Sequence, residues 1–182
     1  MKRLQPYPVA VALSFIFLIL YTACISLHLA VDISNWPMAR LWEMTLFGFS
    51  WVSTLSYFTG ALELLLAGFY IAYTLIPLYN YFDQKHRHQE GITMKAIHFK
   101  PVALALTLFG VITFTLCNLF DLVFPRWAMD ELWQILLPGY TGVNWSSYFI
   151  GLIGIVAYGL YIAGVFVPIY NYFRSAELAE VD

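Results

Sequence analysis

Tyr70-Ile71-Ala72-Tyr73-Thr74-Leu75-Ile76-Pro77-Leu78-Tyr79-Asn80-Tyr81-Phe82 returns 91 residues later as Tyr161-Ile162-Ala163-Gly164-Val165-Phe166-Val167-Pro168-Ile169-Tyr170-Asn171-Tyr172-Phe173. Extended outward without a gap, residues 36–82 against 127–173 share 20 identities in 47 positions. Upstream the match continues at an offset of 93, with Pro8-Val9-Ala10 on Pro101-Val102-Ala103, Thr22 on Thr115 and Cys24 on Cys117. A two-residue gap near position 30 joins the two blocks. Self-similarity at a fixed period is the signature of a repeated structural unit. The chain reads as a tandem duplication, with units at residues 1–91 and 92–182 forming one membrane domain.

Composition says what surrounds the units. Of 182 residues, 61% are hydrophobic, 19% aromatic and only 11% charged, against about 25% charged in soluble domains. A chain this short has too much surface to hide so many apolar side chains from water. Soluble enzyme chemistry, disorder and nucleic-acid binding are excluded, the last because no basic face exists at a net charge of −2. Two distant cysteines make no disulfide framework.

A spanning helix needs about 20 apolar residues, and four windows qualify: Val9 to Val31, Thr54 to Leu78, Pro101 to Val123 and Trp145 to Ile169. Lys2, Arg3, Lys85, Arg87, Lys95, Lys100 and Arg174 fall on one side, against Arg40 and Arg126 on the other. By the positive-inside rule both termini and the middle loop are cytoplasmic. The first apolar run is too long for a signal peptide and closes without an A-x-A site. Tyr21-Thr22-Ala23-Cys24 only faintly resembles a lipoprotein cleavage box, and Cys24 has its counterpart deep in the chain.

Two helices per unit is an even number, so both units enter the membrane in the same direction. The expected fold is all-α: four transmembrane helices in parallel repeats, packed as a bundle with a pseudo-two-fold axis along the membrane normal. A single unit could form the same bundle as a homodimer. The outer loops, Trp36 to Met44 and Trp127 to Ile135, mix Trp and acids at helical spacing and read as short interfacial amphipathic helices. Pro37 and Pro125 suit their starts, and Gly48 and Gly139 their ends.

The second unit carries Cys117, Asp121, Leu137-Pro138-Gly139-Tyr140, Tyr158-Gly159 and Val167-Pro168-Ile169-Tyr170-Asn171-Tyr172-Phe173. This set resembles an uncharacterised family of small bacterial inner-membrane proteins, about ninety residues long with two spanning helices. That family shows a Cys-x-x-x-Asp pair, an LPGF-like turn, a Gly-Leu-x-Glu segment and a terminal VPLYNFF-like run. The resemblance covers each unit once and implies the architecture without implying a chemistry. The units depart from the pattern in complementary ways. The first keeps the acid as Glu63 but has His28 for Asp and Phe47 for Pro; the second keeps Asp121 and Pro138 but has Gly154 at the acid position.

Few residues offer chemistry. Glu63 lies about nine residues into its helix, roughly 14 Å along at 1.5 Å per residue. An acid at that depth is either a proton or cation site or an interhelical hydrogen-bond donor, the simpler reading. Cys24 and His28 are four residues apart on one helix face, and Cys117 and Asp121 repeat the spacing. If the units meet about a two-fold axis, the four converge near the outer surface as ligands for zinc or copper, with Met38, Met44 and Met129 nearby. The plainer reading is two buried small cysteines with polar caps. Haem is disfavoured, because His28 is at the outer rim while His86, His88 and His98 sit in the basic cytoplasmic loop. That loop reads as a solvated connector, with metal binding by its His-x-His the lesser alternative. Gly68-x-x-x-Ala72 and Gly159-x-x-x-Ala163 permit close helix approach. Pro77, Asn80, Pro168 and Asn171 mark the cytoplasmic boundary, where the asparagines are placed to cap or cross-link helix ends and the aromatics form a belt. A quinone or lipid between those rings is the alternative.

No nucleophile–base pair or phosphate loop is present, so the expectation is not an enzyme but a non-catalytic accessory, assembly or structural subunit without a cofactor. Its partners would be the lipid bilayer, larger membrane subunits or further copies of itself. The alternative is a small metal- or ion-handling protein using Glu63 and the Cys24, His28, Cys117 and Asp121 set. A four-helix exporter is a third possibility, weakened by the lack of a second buried acid.

Overall fold

The computed structural model describes residues 4–31, 42–46, 49, 53–90, 97–125 and 129–179. Those residues are all-helical, without strands among them. The elements are α1 (Pro6–Val31), α2 (Thr54–Glu90), α3 (Phe99–Val123), the short α4 (Asp130–Leu136) and α5 (Trp145–Ala179). Four of them are long and apolar enough to cross a membrane: α1, α2, α3 and α5. The chain is a multi-pass membrane-type helical protein.

The spans begin where local chemistry starts them. Ser53 precedes α2, and its Oγ accepts the Ser56 backbone N–H at 3.1 Å. Asn144 precedes α5, and its Oδ1 accepts the Ser147 N–H at 2.8 Å. Each is an N-cap satisfying one of the first-turn donors. The far ends differ from expectation. Pro77 and Pro168 lie inside α2 and α5, which run on to Glu90 and Ala179. At 37 residues α2 is about 55 Å long, so it projects beyond a hydrocarbon core of about 30 Å.

Of the outer-loop helices, α4 forms over seven residues, Asp130–Leu136, covering six of the nine residues expected from Trp127 to Ile135. In the first loop residues 42–45 make a helical turn, while Trp36 to Leu41, Phe47 and Gly48 lie outside the described residues, as do Arg126, Trp127 and Ala128. After α4, Leu137-Pro138-Gly139-Tyr140 turns the chain, with Tyr140 N–H donating to Leu137 O at 3.1 Å. Gly139 has φ +87°, which together with proline ahead of it suits a type II turn.

Packing is pairwise. The interfaces are α1 with α2, α3 with α5, and α2 with α3. A closed bundle with equivalent halves would need α1 against α5 as extensively as α2 against α3; among the described residues no such extended interface forms. Among the described residues the four long helices are therefore open between α1 and α5. The buried stripe of α5 is one residue wide, Gly151, Ile155, Gly159, Ala163 and Val167, which is every fourth residue facing α3.

Two aromatic hubs fill the outer halves of the hairpins. Tyr21, fully buried, meets Trp42 edge-on (5.3 Å between centroids), stacks on Tyr57 (5.5 Å) and touches Phe49 edge-on (6.1 Å). Phe114, also fully buried, meets Trp133 edge-on (5.1 Å), stacks on Tyr148 (5.6 Å) and touches Tyr140 edge-on (5.6 Å). These are the preferred geometries of aromatic pairs, each contributing about 0.5–1.5 kcal/mol beyond area burial.

Candidate functional site

The polar groups of the spans are few, and the described ones mostly join helices. In the first hairpin Ser14 Oγ donates to Leu65 O at 2.8 Å, and Thr22 Oγ1 and Tyr57 OH share a hydrogen bond of 3.0 Å. In the second, Thr115 Oγ1 and Tyr148 OH are 2.9 Å apart. Between hairpins, Tyr70 OH and Thr113 Oγ1 share a bond of 2.9 Å. Each such contact settles a polar group that hydrocarbon cannot satisfy.

Gly68 and Gly159 lie at close backbone approaches within the two hairpins. A Cβ on Gly68 would lie 2.6 Å from Ser14 N and 2.8 Å from its Cα. On Gly159 it would lie 3.0 Å from both Cα and N of Thr107 and closer still to Thr107 Oγ1. The α1–α2 and α3–α5 backbones approach until only hydrogen fits between them. Asn80 and Asn171 lie inside α2 and α5, not at their ends, and clamp the backbone ahead of α1 and α3. Asn80 accepts from Leu4 N–H (3.2 Å) and donates to Leu4 O (2.9 Å). Asn171 accepts from Ile97 N–H (3.1 Å) and donates to Ile97 O (2.8 Å). Each amide thus satisfies both polar groups of one peptide position ahead of the preceding span.

The densest polar cluster lies where α3 meets α4 and the outer turn. Asp121 is buried, and its Oδ1 accepts the Met129 N–H at 2.9 Å, tying the end of α3 to the start of α4. Its Oδ2 has no partner among the described residues. One turn back, Cys117 is half-buried beside Asp121 and Trp133. Asn118, buried, donates to Phe114 O at 2.9 Å and accepts from Tyr140 OH at 2.9 Å. Burial, with Asp121, Asp130 and Cys117 nearby, pushes the Tyr140 phenol up to about 12.

The first hairpin lacks this network. Ile25 stands in the place of Asn118 and Phe49 in that of Tyr140, so donor and acceptor are replaced together by apolar groups. Such a paired replacement is nearly neutral, whereas losing one partner strands the other. Cys24 is a half-buried free thiol on α1, Cys117 a free thiol on α3, and the two helices share no extended interface. The His28 side chain lies outside the described residues. Among the described residues, no three His, Cys, Asp or Glu side chains come together as metal ligands. His86 near the end of α2 and His98 just before α3 approach each other, with ring centroids 5.2 Å apart, and the His88 side chain is not described.

Glu63 is half-buried one turn from Gly60 and beside Leu64, at the edge of the Tyr21 hub. At the equivalent Gly154 a Cβ would fall 2.9 Å from Leu137 Cδ2, so a side chain there would require Leu137 to shift. What sequence reasoning missed are the hub residues Tyr21 and Phe114, the Ser14 and Thr107 contacts, and the Asn118–Tyr140 bond. Only the first pair left a trace, as aromatic residues at matched positions.

Each hairpin also holds a cavity at its outer end. One, of about 430 Å³, is lined by Thr115, Asn118, Leu122, Asn144 and Tyr148 among others. The other, of about 400 Å³, is lined by Thr22, Ile25, Leu29, Ser53 and Tyr57 among others. No protein-family model matches the chain, and no curated protein or solved structure matches it.

Proposed function

We propose that the chain is a non-catalytic accessory or assembly subunit of the bacterial inner membrane. It is built as two copies of one two-helix unit that enter the membrane in the same direction, with both ends and the middle loop cytoplasmic. The observation that carries this reading is how the intramembrane polar groups are used. Ser14, Thr22 with Tyr57, Tyr70 with Thr113, Thr115 with Tyr148, and Asn118 with Tyr140 each bind helix to helix or helix to turn. Those groups form no path of polar side chains from one side to the other.

The duplication draws support from the matched hubs. Tyr21 and Phe114, Trp42 and Trp133, Leu46 and Leu137, and Tyr57 and Tyr148 occupy positions 93 or 91 residues apart. So do the two asparagine clamps, the two N-caps and the linings of the two outer cavities. The metal-handling alternative rests on Asp121, a buried carboxylate with one oxygen unmet beside the Cys117 thiol.

Purification from native membranes in mild detergent tests both. Co-purifying chains and bound metals are identified in the same sample. A stoichiometric membrane partner without metal supports the accessory role. Copper or zinc retained by the native chain and lost from Cys24→Ser and Cys117→Ser variants overturns it in favour of the alternative.

A further inference from the structure

The α2–α3 interface joins the second helix of one hairpin to the first helix of the next. Tyr70 of α2 bonds Thr113 and lies 5.8 Å from the Phe109 ring of α3. Lower down, Tyr79 and Ile97 pack against the cluster holding Val102 and Ala103, with Leu106 beside them.

The repeat places the same two faces on the outer helices, where Tyr161 of α5 and Ile16 and Leu20 of α1 are exposed. Tyr161 and Tyr170 of α5 stand where Tyr70 and Tyr79 stand on α2, 91 residues earlier. Ile16, Leu20, Val9 and Leu13 of α1 stand where Phe109, Thr113, Val102 and Leu106 stand on α3, 93 residues later. Tyr70 is 37% exposed but Tyr161 is 70% exposed; Phe109 and Thr113 are half-buried, while Ile16 and Leu20 are 50% and 54% exposed. The Tyr161 hydroxyl, at a depth where Tyr70 has a partner, makes no hydrogen bond among the described residues. In hydrocarbon such a group favours any contact that supplies an acceptor.

We propose that the open faces of α5 and α1 bind each other between two copies of this chain, repeating the α2–α3 interface head to tail. Each copy gives its α5 to the other's α1, and two chains close a ring of eight spans. A heterologous interface either closes into a ring or runs on as a filament. The inference rests on the duplicated-hairpin reading and not on the accessory role, so a self-associating protein with or without other partners satisfies it.

The test uses two differently tagged full-length chains co-expressed in membranes, both with Cys24→Ser and Cys117→Ser. One carries Tyr161→Cys and the other Leu20→Cys. Oxidative cross-linking is expected to join the two tags, and single-molecule photobleaching in native nanodiscs to count two chains per particle. A Leu62→Cys/Leu116→Cys pair serves as the background of random collision. No joining above that background, although both thiols react with maleimide, overturns the proposal. So does a particle of one chain, or Tyr161→Cys joining chiefly to itself across copies. In a single chain carrying both substitutions, a bond formed only within the chain overturns it as well.

Discussion

Adding one methyl group at Gly68 tests the packing most sharply. An ordinary carbon contact sits at about 3.5–4.0 Å, whereas the new Cβ would be 2.6 Å from Ser14 N and 2.8 Å from Ser14 Cα. Both are backbone atoms, so no side-chain rotation relieves the clash. The α1–α2 separation must grow by about 1 Å, and overpacking of this kind costs about 1–3 kcal/mol. The separation also stretches the Ser14 Oγ to Leu65 O bond of 2.8 Å, a further contribution of about 0.6 kcal/mol for such bonds in membranes. Against this, alanine gains up to about 1 kcal/mol of helix propensity. Gly68→Ala should therefore destabilise by about 1–3 kcal/mol, and Gly159→Ala somewhat less, because its nearest backbone atoms are at 3.0 Å. Gly164→Ala is the control on the same helix as Gly159. Its Cβ would meet only Phe99 Cε2 at 3.9 Å, so it should be neutral or stabilising. Equilibrium unfolding in mixed SDS and dodecyl maltoside micelles, followed by tryptophan fluorescence, reads all three. Equal stability of the three variants would refute the close approach of the helix backbones.

Asn80→Ala and Asn171→Ala each remove two hydrogen bonds to backbone and should cost about 1–3 kcal/mol by the same unfolding assay; Asn→Asp at either site keeps the acceptor and loses the donor, so it should fall between. Phe114→Ala empties the centre of a fully buried hub and should cost about 3–5 kcal/mol, with a blue or red shift of Trp133 emission reporting the loss of their 5.1 Å contact. The Tyr140 phenol, pushed up to about 12 by burial, holds its proton more tightly folded than unfolded. Its stabilisation is complete below about pH 10 and is lost as pH rises towards 12, so Tyr140→Phe should flatten that part of the pH–stability curve while costing about 1 kcal/mol at neutral pH through the stranded Asn118 Oδ1.

The spans were legible because a long apolar run has one physical use, and four helices of that length form. The Asn80 and Asn171 clamps could be foreseen in part, since a polar amide at matched positions needs a partner; that the partner would be the Leu4 and Ile97 peptides was not visible. The hubs stayed hidden because every face of these helices is apolar. Tyr21 in the core and Tyr161 on the surface look alike when hydrophobicity has no periodicity to separate them. The opening between α1 and α5 was invisible for a related reason. Sequence equivalence makes the four faces look equally available, but α2 and α3, which end at Glu90 and begin at Phe99, are neighbours in the chain and pack together. Cys24 and His28 share a helix face by spacing alone, and spacing does not say which helix that face meets. The extension of α2 and α5 to Glu90 and Ala179 was missed because only the apolar windows, ending at Leu78 and Ile169, were read as helix.

The central claim is that both hairpins insert in the same direction. Glu43 and Gln134 are equivalent, exposed outer-loop positions, and Lys85 is exposed at the opposite end of α2. In a background of Cys24→Ser and Cys117→Ser, single cysteines at these three sites are treated in intact cells with a membrane-impermeant maleimide. Labelling of Glu43→Cys and Gln134→Cys, with Lys85→Cys protected until the cells are lysed, is the predicted result. Labelling of Glu43→Cys and Gln134→Cys from opposite sides would contradict it.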